Sequence, residues 1–264
     1  MEADPRCWGK HVTVAACAAL VERGDPDRFA AAMAAPVAQR GRLFVLYAFN
    51  LEISRAPWVA TQPMIAEMRL QWWRDIVATP LTRAHDVAGP LNVLIQEADL
   101  PRDVLDRMIA ARVWDVYKDP FEDAADFDRY IAETGAGLMW LASKALGAPP
   151  AAEPVVRAFG WAAGLANYLR AVPALEARGR LPLVDGRTEA VRDLAALGLA
   201  RIAQARAGRH LLGAGRPALL AGWQAEGLLR QILANPAQVA QGQIGLSEFS
   251  RRTLLMWQAM TGRF

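Results

Sequence analysis

Strand signals are nearly absent from these 264 residues, and that absence constrains the fold more than any other feature. β-Branched residues are scattered, and no apolar–polar alternation runs beyond a few positions. Apolar residues recur instead at helical spacing, in segments closed off by proline, glycine and aspartate. Asp25-Pro26 starts a short helix that ends near Pro36. The next runs from about Val37 to Arg55. Another covers Gln62 to Val77, with Met64, Met68, Leu70 and Trp72 or Trp73 on its inner face. Gly89 to Ala98 and Pro101 to Lys118 form a pair around Asp99-Leu100, and Asp123 to Leu146 is one long helix containing Gly135 and Gly137. Pro150 to Leu169 follows, then an irregular stretch around Pro173, Gly179 and Pro182. Glu189 to Leu212, Pro217 to Leu233 and Ser247 to Met260 complete the set. No linker, repeat or low-complexity tract divides the chain. The expectation is one all-α domain spanning residues 1–264.

Composition narrows the function. Hydrophobic residues at 53% and charged residues at 22% belong to a chain that buries a core. A net charge of +3 is too small to argue for nucleic acid as a partner. The basic residues are nearly all arginine, with Lys10, Lys118 and Lys144 the exceptions, and guanidinium is the better fork for phosphate or carboxylate. Cys7 and Cys17 are the only cysteines, too few to staple a fold of this size, which places the chain in a reducing, cytoplasmic setting. Cys7 and His11 stand four apart and could share a helix face. Two ligands do not make a zinc site, however, and no CxxC or HxxxH partner exists, so no metal centre is expected there. His85 and His210 have no nucleophile constellation around them. The apolar stretch Val12 to Val21 follows Arg6 and Lys10 as a signal segment would. Glu2 and Asp4 before it, and the helical pattern after it, read instead as a first helix. No stretch approaches the length of a membrane span. Gly160, Ala163, Gly164 and Ala166 allow either close helix approach or a cavity wall, and both readings stand.

Four segments in order carry a resemblance. LYAFNLEISRAPW (46–58) resembles the first motif region of the squalene/phytoene synthase family, where an LYAF-type run leads into DDxxD. LQWWRDIV (70–77) looks like the LxxWRxxL helix that follows it. YIAETGAGLM (130–139) is similar to YxxxVAGxxGxM, and LANYLRAVPALEARGRLPL (165–183) is similar to the second motif, LxNILRDxxxDxxxGRxYLP. The resemblance implies an isoprenoid-synthase-type helical bundle around a central cavity. Active members ionise a carbon–diphosphate bond, and their paired aspartates, one helical turn apart, hold Mg²⁺ against the leaving group.

This chain departs from that pattern where the chemistry lies. The acidic positions of the first motif fall on Ser54, Arg55 and Trp58, and those of the second on Ala171 and Leu175. Pro57 and Pro173 sit inside the two motifs, where proline ends or kinks a helix. Glu52 and Glu176 are displaced around their helices by about 100° or more. Neither a cofactor nor a catalytic residue is expected, and Mg²⁺ enters only if the chain is active. Tyr47, Asn167, Arg170, Arg178 and Arg180 match cavity-lining or diphosphate-contacting positions of the family, and Asp115 matches a family acidic position. With Asn50, Ser54 and Arg55 they make the candidate binding set, suited to an anionic or lipid-like ligand held without metal. The alternative is that the arginines satisfy helix ends and one another.

AFN-x-E, MRLQW (68–72) and LRAVP (169–173) are similar to a noncatalytic branch of the family, the mitochondrial assembly factor for respiratory complex I with a phytoene-synthase-like domain. That resemblance implies a binding or assembly protein, with an isoprenoid-like ligand or a respiratory-complex subunit as partner. The competing expectation is an active transferase condensing two prenyl diphosphates head to head. Arg251 and Arg252 beside Leu254, Leu255 and Trp257 also suit an interfacial helix, which allows peripheral contact with an inner membrane.

Overall fold

The structure is a computed structural model that describes residues 5–60, 62–79 and 85–264, with side chains from residue 14 onward in the first helix. Cys7 and His11 therefore lie outside the described side chains. The fold is 77% helical, with no strand among the described residues. In chain order the helices are α1 (Pro5–Gly24), α2 (Pro26–Ala34), α3 (Val37–Val59), α4 (Pro63–Ala78), α5 (Ala88–Glu97), α6 (Arg102–Ala111) and α7 (Ala124–Ile131). After a π-helical turn over Ala132–Ala136 come α8 (Gly137–Ala145), α9 (Glu153–Glu176), α10 (Thr188–Ala207), α11 (Ala225–Ala234), α12 (Ala237–Ala240) and α13 (Glu248–Thr261). A 3-10 segment, Gly213–Gly222, leads into α11.

Local chemistry sets the helix starts. The Asp25 carboxylate accepts from the Arg28 amide at 2.9 Å with Pro26 in the first turn, so α2 begins where the sequence indicates. Asp123 caps α7 and Ser247 caps α13 in the same way. Helices α3 and α9 are apolar around most of their circumference, which sends them through the middle of the molecule. Both run on through their prolines, to Val59 and Glu176. Each proline lies in the last turn, where losing one N–H bond matters least and buried Ala56, Val172 and Leu175 hold the backbone.

Three expectations need correction. α6 stops at Ala111, not Lys118, because residues 112–116 continue as tighter turns in which each amide reaches back three residues. The segment from Asp123 to Leu146 is interrupted by the π turn. In α4 the phase is shifted: Met64 and Met68 are 62% and 65% exposed, and the buried face is Ala66, Leu70, Trp73, Ile76 and Val77. That helix carries apolar residues on more than one side, so periodicity alone admits two phases.

Candidate functional site

α3, α9, α7 with its π turn and the turns after α6 enclose a cavity of about 420 Å³. Ser54, Arg55 and Trp58, which the resemblance sets against the first motif, line it from α3, and Ala171 and Leu175, which it sets against the second, line it from α9. The two segments, more than a hundred residues apart in sequence, thus meet around one space. Neither Glu52 nor Glu176 is among the lining residues.

The wall opposite carries a buried polar cluster. The Tyr130 hydroxyl lies 3.1 Å from both carboxylate oxygens of Asp115. Arg112 donates to that hydroxyl at 3.0 Å, to Asp115 at 3.3 Å, and to the Asn50 side-chain oxygen at the long limit of 3.5 Å. Burial pushes the Asp115 carboxyl up, against the pull of the Arg112 guanidinium. Burial likewise raises the Tyr130 phenol, so it stays a neutral donor. Asp115 is the one carboxylate lining this cavity, and Arg112 and Tyr130 already engage its oxygens.

The candidate arginines divide sharply. Arg180 is buried and donates to the main-chain oxygens of Trp114, Asp115 and Tyr117, closing off the turns after α6. It also stacks between the rings of Trp58 and Trp114, at 4.8 and 5.2 Å. Arg178 is exposed and stacks over the Trp58 ring at 4.5 Å, with no carboxylate partner among the described residues. Arg55 is exposed at the cavity beside Gly24, where any side-chain carbon would collide with its guanidinium; it too makes no ion pair among the described residues. The Ser54 hydroxyl is turned back onto the Leu51 carbonyl at 3.1 Å. Tyr47 is buried and does not line this cavity, its ring lying 6.0 Å from the Arg28 guanidinium.

Asn167 and Arg170 mark the edge of a second chamber of about 580 Å³, bounded by the start of α2, by α9, by the 3-10 segment before α11 and by Arg251 of α13. Arg170 donates to the Asn167 side-chain oxygen at 3.2 Å and to Asp27 at 3.2 and 3.3 Å. Arg251 donates to the other Asp27 oxygen. Gly24, Arg28 and Asn167 line both spaces, so the chambers adjoin.

Sequence reasoning missed Arg28, Arg112, Asp27, Gln224 and Arg251. Arg112 had a local signal, standing three residues before Asp115. Asp27 and Arg251 are 224 positions apart and had none. Among the described residues no three His, Cys, Asp or Glu side chains are grouped to hold a metal ion, and no helix is long and apolar enough to cross a membrane.

The squalene/phytoene synthase family profile matches residues 21–184. Similar curated proteins include the NADH dehydrogenase (ubiquinone) complex I assembly factor 6 homolog of Drosophila melanogaster, 28% identical over 198 residues, which cover 70% of this chain and 56% of that protein. Complex I assembly factor 6 of Homo sapiens is 24% identical over 173 residues, 64% of this chain and 51% of that one. The chain spans about half the length of the curated relatives it matches. Among solved structures, a dehydrosqualene synthase in complex with ligand superposes with a TM-score of 0.74 at 15% identity, covering 96% of this chain and 97% of that one. Squalene synthase HpnC from Alicyclobacillus acidocaldarius gives 0.70 at 18% identity, covering 90% and 97%. At such identities the likeness is one of fold.

Proposed function

Because this chain belongs to the squalene/phytoene synthase family, we propose that it is a noncatalytic member: a protein that holds an isoprenoid-like or lipid ligand and serves the assembly of a respiratory complex. One observation carries this reading. Ser54, Arg55, Trp58, Ala171 and Leu175, the five residues that the resemblance sets against the family's acidic motif positions, line a single cavity, and none of them is a carboxylate.

Mg²⁺ takes oxygen ligands and gives up its waters reluctantly. The donor set here does not fit it: Asp115 is held by Arg112 and Tyr130, and Arg28, Arg55 and Arg178 put positive charge on the same cavity. What the cavity offers is direct hydrogen bonding from Arg55 and Arg178, an aromatic platform in Trp58, and an apolar wall from Leu51, Ile131 and Leu175. Those groups suit an amphiphile with an isoprenoid-like tail. The names of the curated relatives support the assembly role, with a respiratory-complex subunit as partner.

We read residues 1–264 as one such domain, working in the cytoplasm against the inner-membrane surface. The face assigned to an anionic bilayer is the outer stripe of α13, where Phe249 and Met260 are 79% and 80% exposed, with Met256 between them and Arg252 alongside. The test of noncatalysis is incubation with radiolabelled farnesyl or geranylgeranyl diphosphate and Mg²⁺. Neither diphosphate release nor a C30 or C40 product is expected. Metal-dependent formation of either product would make the protein an active head-to-head prenyltransferase.

A further inference from the structure

Both chambers are rich in arginine, yet they differ in what faces that charge. In the cavity beside Trp58, Arg55 and Arg178 have no carboxylate partner among the described residues. In the second chamber every arginine has one. Arg28 is paired with Asp25, the cap of its own helix. Arg170 and Arg251, from α9 and α13, converge on the two oxygens of Asp27 at the start of α2. An anion entering from outside would seek those two guanidinium groups, and a carboxylate of the chain already sits between them.

The chamber's lining sums to three arginines against two aspartates, an excess of one positive charge. That is poorly matched to a diphosphate, which carries several negative charges and would have to displace Asp27. One polar side chain remains unengaged. Gln224 lines the chamber, is only 7% exposed, and makes no side-chain hydrogen bond among the described residues. Its amide is therefore open to the chamber and free to exchange hydrogen bonds with a ligand there. Asn167, whose side-chain oxygen is held by Arg170, lines the same space, and its amide nitrogen makes no hydrogen bond among the described residues.

We propose that the second chamber is a subsite for a neutral, carbonyl- or hydroxyl-bearing head group, received by Gln224 and Asn167, and that Asp27 is its built-in counter-anion, satisfying Arg170 and Arg251 and turning diphosphates away. The assignment rests on the reading of this chain as a ligand-binding protein and specifies the ligand's head group. Its chemistry is the opposite of that for which paired aspartates and Mg²⁺ are suited.

Two titrations of the full chain, both without divalent metal, test it. In the first, inorganic pyrophosphate is titrated calorimetrically into wild type, Asp27→Asn and Asp27→Ser. Wild type is expected to take up at most one pyrophosphate, in the cavity of Arg55 and Arg178, and the variants to gain a second site. Pyrophosphate binding by wild type equal to that of the variants overturns the role of Asp27. So does a folded variant, checked by circular dichroism and melting, that gains nothing. In the second, farnesol and farnesyl diphosphate are compared by quenching of tryptophan fluorescence. Protein carrying Arg55→Gln and Arg178→Gln, which removes the unpaired guanidinium groups of the neighbouring cavity, is expected to prefer the alcohol at least tenfold, and to lose most of that preference when Gln224→Leu is added. This arm leaves Asp27 intact, so it decides the matter even if neither Asp27 variant folds. Preference of that double variant for the diphosphate overturns the proposal while leaving ligand binding in place. Failure of both compounds to bind overturns the ligand-binding reading itself.

Discussion

Arg178 and Arg180 are two residues apart, and the sequence treats them as a pair, yet their surroundings assign them different work. Arg180 terminates the carbonyls of Trp114, Asp115 and Tyr117 inside the protein, so its removal leaves three acceptors without a donor. Arg180→Met, which keeps the apolar stem, is expected to lower unfolding stability by about 2–4 kcal/mol. Arg178→Met loses only a stacking contact with Trp58 in solvent, and its cost is expected to stay below about 1 kcal/mol. Urea denaturation of the two variants separates them, and equal losses would contradict the placement. Glu226 gives a prediction in pH. Hydrogen bonds from Arg206 foremost, and then from Arg230, hold its carboxyl down to about 2 from an ordinary 4.5. A carboxyl that is more acidic folded than unfolded adds stability that is complete above the unfolded value and disappears as pH falls toward the folded one. The trio is partly exposed and therefore screened, so the gain is held to about 1 kcal/mol. Wild type is expected to melt above Glu226→Gln at pH 6, with the gap closing between pH 4.5 and 2. A gap that persists unchanged at pH 2 would remove the ion pairs as its cause.

The π turn between α7 and α8 shows what one element contributes to both packing and site. Gly135 within it meets α9 backbone to backbone: an added Cβ would stand 2.8 Å from the Gly164 Cα and 3.1 Å from the Gly160 carbonyl. Main chain cannot move aside as a side chain can, so Gly135→Ala is expected to cost about 2 kcal/mol or more, read from thermal or urea unfolding. A substitution that proves neutral would mean the two helices are not in this contact. Gly135 and Gly164 also line the cavity, so the small residues permit close approach and leave room for a ligand at once. The sequence displayed those glycines but could not say which use prevailed, because the π turn rephases the face on which they lie. Helix starts were legible wherever a cap is local, as at Asp25, Asp123 and Ser247. The inner face of α4 was not, since methionine is apolar enough to mimic a core residue while Met64 and Met68 point outward.

At the scale of the whole molecule, the four motif segments made the helical fold and the cavity beside Trp58 readable, because each is local in sequence and their order is preserved. The second chamber was unreadable: it exists only where α2, α9 and α13 converge on Asp27, across separations of 143 and 224 residues. The same convergence changes how α13 should be understood. Arg251 is turned inward to Asp27, and Leu254 and Leu255 pack against Ala31, Leu220 and Trp223, so three of the residues that suggested an interfacial helix are committed to holding it in place. Its outer stripe is different and equally apolar, running through Phe249, Met256 and Met260 with Arg252 beside it. Such a stripe can enter the headgroup region without the helix leaving the protein, and burying one phenylalanine and one methionine there contributes about 3–6 kcal/mol. Wild-type protein is accordingly expected to float with anionic liposomes in a density gradient. Phe249→Ser combined with Met260→Ser should keep it at the bottom while leaving its melting temperature within a few degrees, because neither side chain is part of the core. Flotation by the double variant would move the contact to another face, and wild-type protein that stays at the bottom would leave α13 as an ordinary closing helix.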